Sequence, residues 1–416
     1  MATIGRANNA HRNLMTVLKE LTVYSVGDSR RLSSWSNVPF FFTETLIAKG
    51  IKVNRVNLER TLAGKLLDKT VWKLLNFVNR NTYYSYSRSL VHYLLVRAKI
   101  ARALARYPRT DANIFLTFSY SSAGMTDKPT VLFCDWTYDH HFRYFLGQPP
   151  NAMESMAIAR EDQQIEDADL VCVLFPRVAE YMKQRYRNPK IHYLGNVVNS
   201  LLDVSDSEVL ARKSASTQLL FIGGSKYLEG ARQLIETYKK LKTSRPGLML
   251  NIVGMRAREF SDLPAGVKCH GYLDKENTEQ RTLYYELLVN AKVVVNTTPR
   301  WGAFSATLEA MHCYTPVITT PYPEFIETFG EDLDFGCYCN STSTDELQAT
   351  IKALLDNPAY AQLCLSAHDA VKDCSWSAFI DKMLVKIDQA VVARQPNATD
   401  HPQAIVDSAQ ANAPHG

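Results

Sequence analysis

Residues Val293–Pro323 read VVVNTTPRWGAFSATLEAMHCYTPVITTPYP, and this stretch decides the fold. It opens with an apolar β-branched run ending at Asn296, the pattern of a strand buried on both faces. A loop with Pro299 and Gly302 follows, then helical spacing through His312, with Ser305 placed as the N-cap. A Thr315-Pro316 turn leads into a second β-branched run, Val317–Thr319. Strand, loop, helix and strand in that order make a βαβ unit and therefore a parallel sheet. Gly302 lets backbone approach a ligand closely, and the free amides of the first helical turn favour a diphosphate. Glu309 is spaced to accept hydroxyl hydrogen bonds from a ribose; the alternative is a solvated helix residue.

The same grammar extends outward. Leu219–Ile222, Leu248–Val253 and Val267–His270 read as strands, with helices over Glu229–Leu241 and 278–290 and turns at Gly223-Gly224 and Gly254. On the N-terminal side, strands are expected at Leu21–Ser25, Ile51–Leu58, Ile114–Ser119, Thr130–Cys134, Leu170–Leu174 and Ile191–Leu194. A polar stretch near 202–217 reads as a linker. The expected organisation is an N-terminal Rossmann-like unit, 18–200, with a basic helical insertion at 60–109, and a C-terminal one, 216–376. A helix over 377–394 crosses back to the first unit, and a polar tail, 395–416, is disordered. A chain of 416 residues suits two such units better than one core.

Composition excludes several classes. Hydrophobic content of 46% with 21% charge is globular, and no apolar run approaches the roughly 20 residues that span a bilayer. The N-terminus MATIGRANNAHRNL lacks the apolar core of a secretory signal, so a cytoplasmic protein is expected. Eight scattered cysteines without a CxxC pair read as structural thiols.

The net charge of +5 is unevenly spread. Eleven Lys or Arg between Arg60 and Arg109 face a single acid, Asp68, and seven aromatics are interleaved with them. That segment is a candidate contact for an anionic membrane, which would make the protein peripheral at the inner face of the plasma membrane. The competing readings are a solvated helix face and a nucleic-acid surface; no nucleic-acid motif accompanies the charge, and no nucleic-acid partner is expected.

The 293–323 stretch resembles the signature of glycosyltransferase family 4 of the GT-B fold, E-G-F-G-x-x-x-x-E-A-M-A-x-G-x-P-V-V. Gly302, Phe304, Glu309, Ala310, Met311, Thr315, Pro316 and Val317 fall in register. The resemblance continues through 168–199, 218–238, LMLNIVGM, VKCHGYLDKE and the tryptophan-bearing helix at 374–387. It implies a GT-B architecture, two Rossmann-like domains facing across a cleft. It also implies that Glu309 holds the donor ribose, and that Phe304, Ser305, Ala306 and Thr307 hold phosphates and sugar. Gly223 and Gly224 would flank the diphosphate, and Met255 and Arg256 would lie near the base.

The departures carry information too. Trp301 stands where the family has a sugar-holding glutamate, Gly224 where it has a phosphate-loop arginine, and Glu229 where it has a lysine. Lys226 and Arg300 are the nearby substitute cations. In the first half, Asp135 ends a strand where the family often places a histidine, and it is a candidate base for an acceptor hydroxyl or else a loop cap. His140 and His141 are structural candidates before catalytic ones. Trp35 is either a stacking platform for a sugar or a core residue.

The implied activity is transfer of a sugar from a nucleotide-sugar donor to a glycan or lipid-linked saccharide, as in bacterial surface polysaccharide synthesis. Retention of configuration is the family's habit. No cofactor or metal is expected, because no Asp-x-Asp or His/Asp cluster follows a strand in the first half. The alternatives are a sugar-nucleotide epimerase or phosphorylase on the same fold, and a non-catalytic nucleotide-sugar-binding subunit.

Overall fold

The computed structural model describes residues 18–60, 86–339 and 343–394, with isolated positions between 61 and 85. Most of the 61–85 portion of the basic insertion, and the 395–416 tail, lie outside the described residues.

Two six-stranded parallel sheets carry the fold. The first runs β2-β1-β3-β4-β5-β6, with β1 Glu20–Ser25, β2 Lys52–Asn57, β3 Ala112–Phe115, β4 Thr130–Cys134, β5 Leu170–Val173 and β6 Ile191–Tyr193. The second runs β12-β11-β10-β7-β8-β9. Its strands are β7 Gln218–Ile222, β8 Met249–Val253, β9 Val267–Gly271, β10 Ala291–Asn296, β11 Val317–Thr319 and β12 Gly336–Tyr338. Leu219, Phe221, Leu250, Ile252, Val293 and Val295 have no accessible surface, because helices cover both faces of a parallel sheet.

Each sheet has one place where strand order reverses, between β1 and β3 and between β7 and β10. Crevices open at such points beyond the carboxyl ends of the strands. The two crevices face each other and merge into one cleft, lined by the loops after β1, β3, β4 and β5 on one wall and after β7, β8, β9 and β10 on the other.

The helix Trp376–Arg394 ties the halves together. Trp376 packs between Phe41 and Phe42 of the helix Val38–Ala48, and Phe379 lies 5.2 Å from Phe133 of β4. Asn199, 2% exposed, joins three segments through one amide. Its Oδ1 accepts from the Trp376 indole at 2.9 Å, and its Nδ2 donates to the Ser36 carbonyl at 2.9 Å and to Ser305 Oγ at 3.2 Å. Over the cleft mouth Arg31 donates to both carboxylate oxygens of Glu276, at 3.0 and 2.7 Å, bridging the two units.

The stretch read as a linker contains a helix, Asp206–Ala215. Its polar composition hid an inward stripe of two residues, Val209 and Lys213, at i,i+4 spacing. Lys213 is fully buried, and its ammonium donates to the Leu288 and Ala291 carbonyls at 3.1 and 3.0 Å and to Thr315 Oγ1 at 2.7 Å. All three N–H donors are thereby used, so this helix docks on the second sheet's helices.

Burial pushes the Lys213 ammonium down to about 7 from an ordinary 10.5. Between those values the unfolded chain holds a proton that the folded chain has released, so this residue makes stability rise with pH across that window. Urea unfolding from pH 7 to 9.5 should show the rise in the wild type and lose it in Lys213→Met. Lys213→Ala, which leaves the acceptors unpaired beside a cavity, should cost about 2–4 kcal/mol.

Candidate active site

The cleft between the sheets has a volume of ≈ 1150 Å³. Gly223, Gly224, Lys226, Arg300, Trp301, Phe304, Ser305, Ala306, Glu309 and Asp135 all line it, although they come from both ends of the chain. Arg256 and Thr307 do not.

The second wall is built around the helix Phe304–His312. Its N-cap is Ala303, in the left-handed region at φ 56, and not Ser305 as the sequence suggested. The helix starts early because the Gly302–Ala303 turn is pressed against β11, where a Cβ on Gly302 would lie 2.4 Å from Thr319 Oγ1. Thr307, 3% exposed, points inward, and its hydroxyl donates to the Gly302 carbonyl at 3.0 Å, pinning that turn. The Ala306 and Thr307 amides turn back onto the Ala303 carbonyl. The amides of Phe304 and Ser305 have no acceptor among the described residues, and both residues line the cleft. Two open amides at the positive end of a helix suit an anion.

Gly223-Gly224 approaches the same space from β7. A Cβ on Gly254, at φ +98, would sit 2.5 Å from the Gly223 carbonyl, so the β7 and β8 turns pack back to back and hold this loop down. Lys226 faces across the cleft, within electrostatic reach of Asp135. Arg300 is exposed at the rim, with φ 70. Arg256 is exposed outside the lining because its amide is held by Glu259 at 2.8 Å in a local turn; Met255 beside it is fully buried.

Glu309 is not a solvated helix residue. It is 4% exposed, and its Oε2 lies 2.5 Å from Lys275 Nζ. Tyr284 also hydrogen-bonds it, and burial followed by the Glu309 charge pushes that phenol up. Lys275 lies 4.4 Å from the Tyr284 ring centroid. A carboxylate oriented by an ammonium and a phenol keeps lone pairs for two vicinal hydroxyls, the pattern a ribose presents. Lys275 and Tyr284 escaped sequence reasoning; the only signal was the position of Lys275 just after β9.

Trp301 brings one polar atom, its indole N–H, and the Tyr227 hydroxyl lies beside it. Its ring packs against Trp136, Phe145 and Phe175 of the first half, at 5.2, 5.8 and 5.3 Å, and against Tyr322 at 5.0 Å. This aromatic seam joins the walls beside the open amides.

On the first wall Asp135 accepts from the Trp136 amide at 2.9 Å and from the Cys134 thiol at 3.3 Å, and the Trp35 indole also hydrogen-bonds it. Burial raises its carboxyl above the ordinary value. Trp35 lines the cleft but serves Asp135 and packs 5.9 Å from Phe133. His140 is buried and stacked on Trp136 at 4.8 Å, a structural residue; burial pushes it down to about 4. His141 lines the cleft, and burial, then Arg88 and Lys226, lower its pKa. Among the described residues no three His, Cys, Asp or Glu side chains form a group able to hold a metal ion.

Residues 216–357 match the family model described as Glycosyl transferases group 1. No curated protein matches the chain. Among solved structures it is similar to sucrose-phosphate synthase from Thermosynechococcus elongatus, with a TM-score of 0.62 and 16% identity over 90% of this chain and 100% of that one. WaaG, a glycosyltransferase involved in lipopolysaccharide biosynthesis, follows at 0.61 and 15% over 89% and 99%. Anabaena HepE, in complex with UDP and glucose, gives 0.56 and 13% over 90% and 98%. Two parallel sheets facing across a cleft are thus the GT-B fold. The match to group 1 glycosyl transferases falls on the second sheet and the helices around it, residues 216–357.

Glu309→Gln should weaken nucleotide binding at least tenfold in calorimetry with UDP while preserving the melting temperature within a few degrees. Glu309→Ala is the harsher change, because it strands the Lys275 ammonium in a buried site.

Proposed function

We propose that the chain transfers a sugar from a uridine-diphosphate donor to a hydroxyl of a glycan or lipid-linked saccharide, with retention of configuration. The observation that carries this reading is the Glu309–Lys275 pair one turn beyond two open helix amides in one cleft. Ribose and diphosphate of one nucleotide would span those two features. UDP is chosen because HepE was solved with it. Residues 216–376 would form the donor domain and 18–200 the acceptor domain, with 377–394 holding them together.

In the transfer, the bond between the sugar's C1 and the phosphate oxygen breaks and a bond from C1 to the acceptor oxygen forms on the same face. The acceptor proton passes to the departing phosphate oxygen. The Phe304 and Ser305 amides and Lys226 would stabilise the charge that develops on that leaving group. Asp135 would orient the acceptor hydroxyl.

A second reading has Asp135 as the base of an inverting reaction, favoured by its place in the cleft and its raised pKa. Proton NMR of the product decides. Retained configuration with a 10–100-fold loss in Asp135→Asn supports the first reading; an inverted product with a loss beyond about 10⁴-fold supports the second. Donor turnover without any acceptor would indicate an epimerase or donor hydrolase, and nucleotide binding without turnover a binding subunit.

The protein would work at an anionic membrane surface. No helix among the described residues is long and apolar enough to cross a membrane. The helix Leu90–Arg106 instead leaves Leu90, Val91, Leu94 and Leu95 more than half exposed, beside Arg97 and Arg102. Lys99 does not join them, since it donates to the Glu59 carbonyl at 2.6 Å. An apolar helix face with adjacent cations suits an interface of anionic lipid. Leu94→Ser with Arg102→Glu should cut co-sedimentation with phosphatidylglycerol vesicles several-fold and leave UDP affinity unchanged.

A further inference from the structure

One cation of the basic stretch turns away from the surface. Arg88 closes the short turn Tyr86–Arg88 and lines the cleft. Its guanidinium carbon lies 3.7 Å from the Tyr138 ring centroid, and Nη1 donates to Ser119 Oγ at 2.8 Å. Ser119 in turn donates to Glu161 Oε2 at 2.9 Å, which is 3.9 Å from Arg88 Nη1. The Tyr138 amide donates to the other Glu161 oxygen. Nε and Nη2 of Arg88 have no partner among the described residues.

The Tyr138 ring and the Ser119 hydroxyl therefore restrain the guanidinium while leaving part of its fork open, an arrangement suited to carboxylate or phosphate in a paired geometry. Glu161, 4% exposed, is the nearest counter-charge, but it spends its oxygens on the Ser119 hydroxyl and the Tyr138 amide and stays 3.9 Å from Nη1. Lys226 supplies a second cation from the opposite wall, and both act on His141.

The position separates this group from the donor. The open amides of Phe304 and Ser305 and the Gly223-Gly224 loop belong to the second sheet. Arg88, Ser119, Tyr138 and Glu161 all belong to the first half, with Ser119 and Tyr138 in the segments following β3 and β4. We propose that Arg88 reads an anionic group, phosphate or carboxylate, on the acceptor saccharide. The proposal rests on the transferase reading above and narrows its acceptor to an acidic sugar. A neutral acceptor leaves the fork to water, so discrimination of at least tenfold is expected.

The test is saturation-transfer NMR on the full chain loaded with UDP, titrated with glucose 6-phosphate, glucuronate and glucose. At least tenfold tighter binding of a charged sugar over glucose supports the proposal. A preference for glucose 6-phosphate assigns phosphate, and one for glucuronate assigns carboxylate. Arg88→Gln should abolish the preference without changing UDP affinity or melting temperature, and Arg88→Lys should keep part of it. Equal binding of all three sugars, or an undiminished preference in Arg88→Gln, overturns the proposal. A chain that fails to bind UDP overturns the donor-site reading instead, and the comparison of charged with neutral sugars, repeated without nucleotide, still tests Arg88.

Discussion

Three segments of this chain meet on one amide. Asn199 uses its carbonyl for the Trp376 indole and its amino group for the Ser36 carbonyl and the Ser305 hydroxyl. Those partners belong to the returning C-terminal helix, the loop after β1 and the helix Phe304–His312. A buried amide satisfied on both ends tolerates little displacement of any partner, because each lost bond leaves a polar atom unpaired. The relative placement of the two cleft walls is thus set by hydrogen-bond geometry, with the aromatic seam from Trp136 to Trp301 filling the space beside it.

From that constraint the chemistry of the cleft follows. The second wall takes its polar character from helix geometry: an early start at left-handed Ala303 leaves two amides open, and a buried carboxylate waits one turn on. The first wall adds Asp135, held by the Trp136 amide and the Cys134 thiol, and Arg88, set over the Tyr138 ring. Where the sequence resemblance led one to expect a sugar-holding carboxylate, Trp301 sets its ring into the aromatic seam. The polar groups facing the cleft therefore come from the helix start, the Glu309–Lys275 pair and Lys226 on the second wall, and from the opposite wall.

Much of the fold was legible because parallel strands buried on both faces leave an unmistakable apolar signature. The runs VLFC in β4 and VVVN in β10 were placed closely, as was the helix at 278–290. The helix Asp206–Ala215 was missed because only two of its residues face inward, and one of those is a lysine. The strand Gly336–Tyr338 was missed because three residues at a sheet edge carry almost no periodicity.

The sequence by itself determined the βαβ grammar of 293–323, since local spacing encodes it, and its resemblance to the family signature singled out Glu309. Only the tertiary structure decided that Glu309 is paired with Lys275, that Ser305 is not the cap, and that Arg256 lies outside the cleft. It alone brought Arg88 to the wall facing the helix Phe304–His312. The reason is physical: pairing, burial and orientation depend on contacts between segments far apart in the chain, and a linear pattern carries no record of which side chains those contacts bring together.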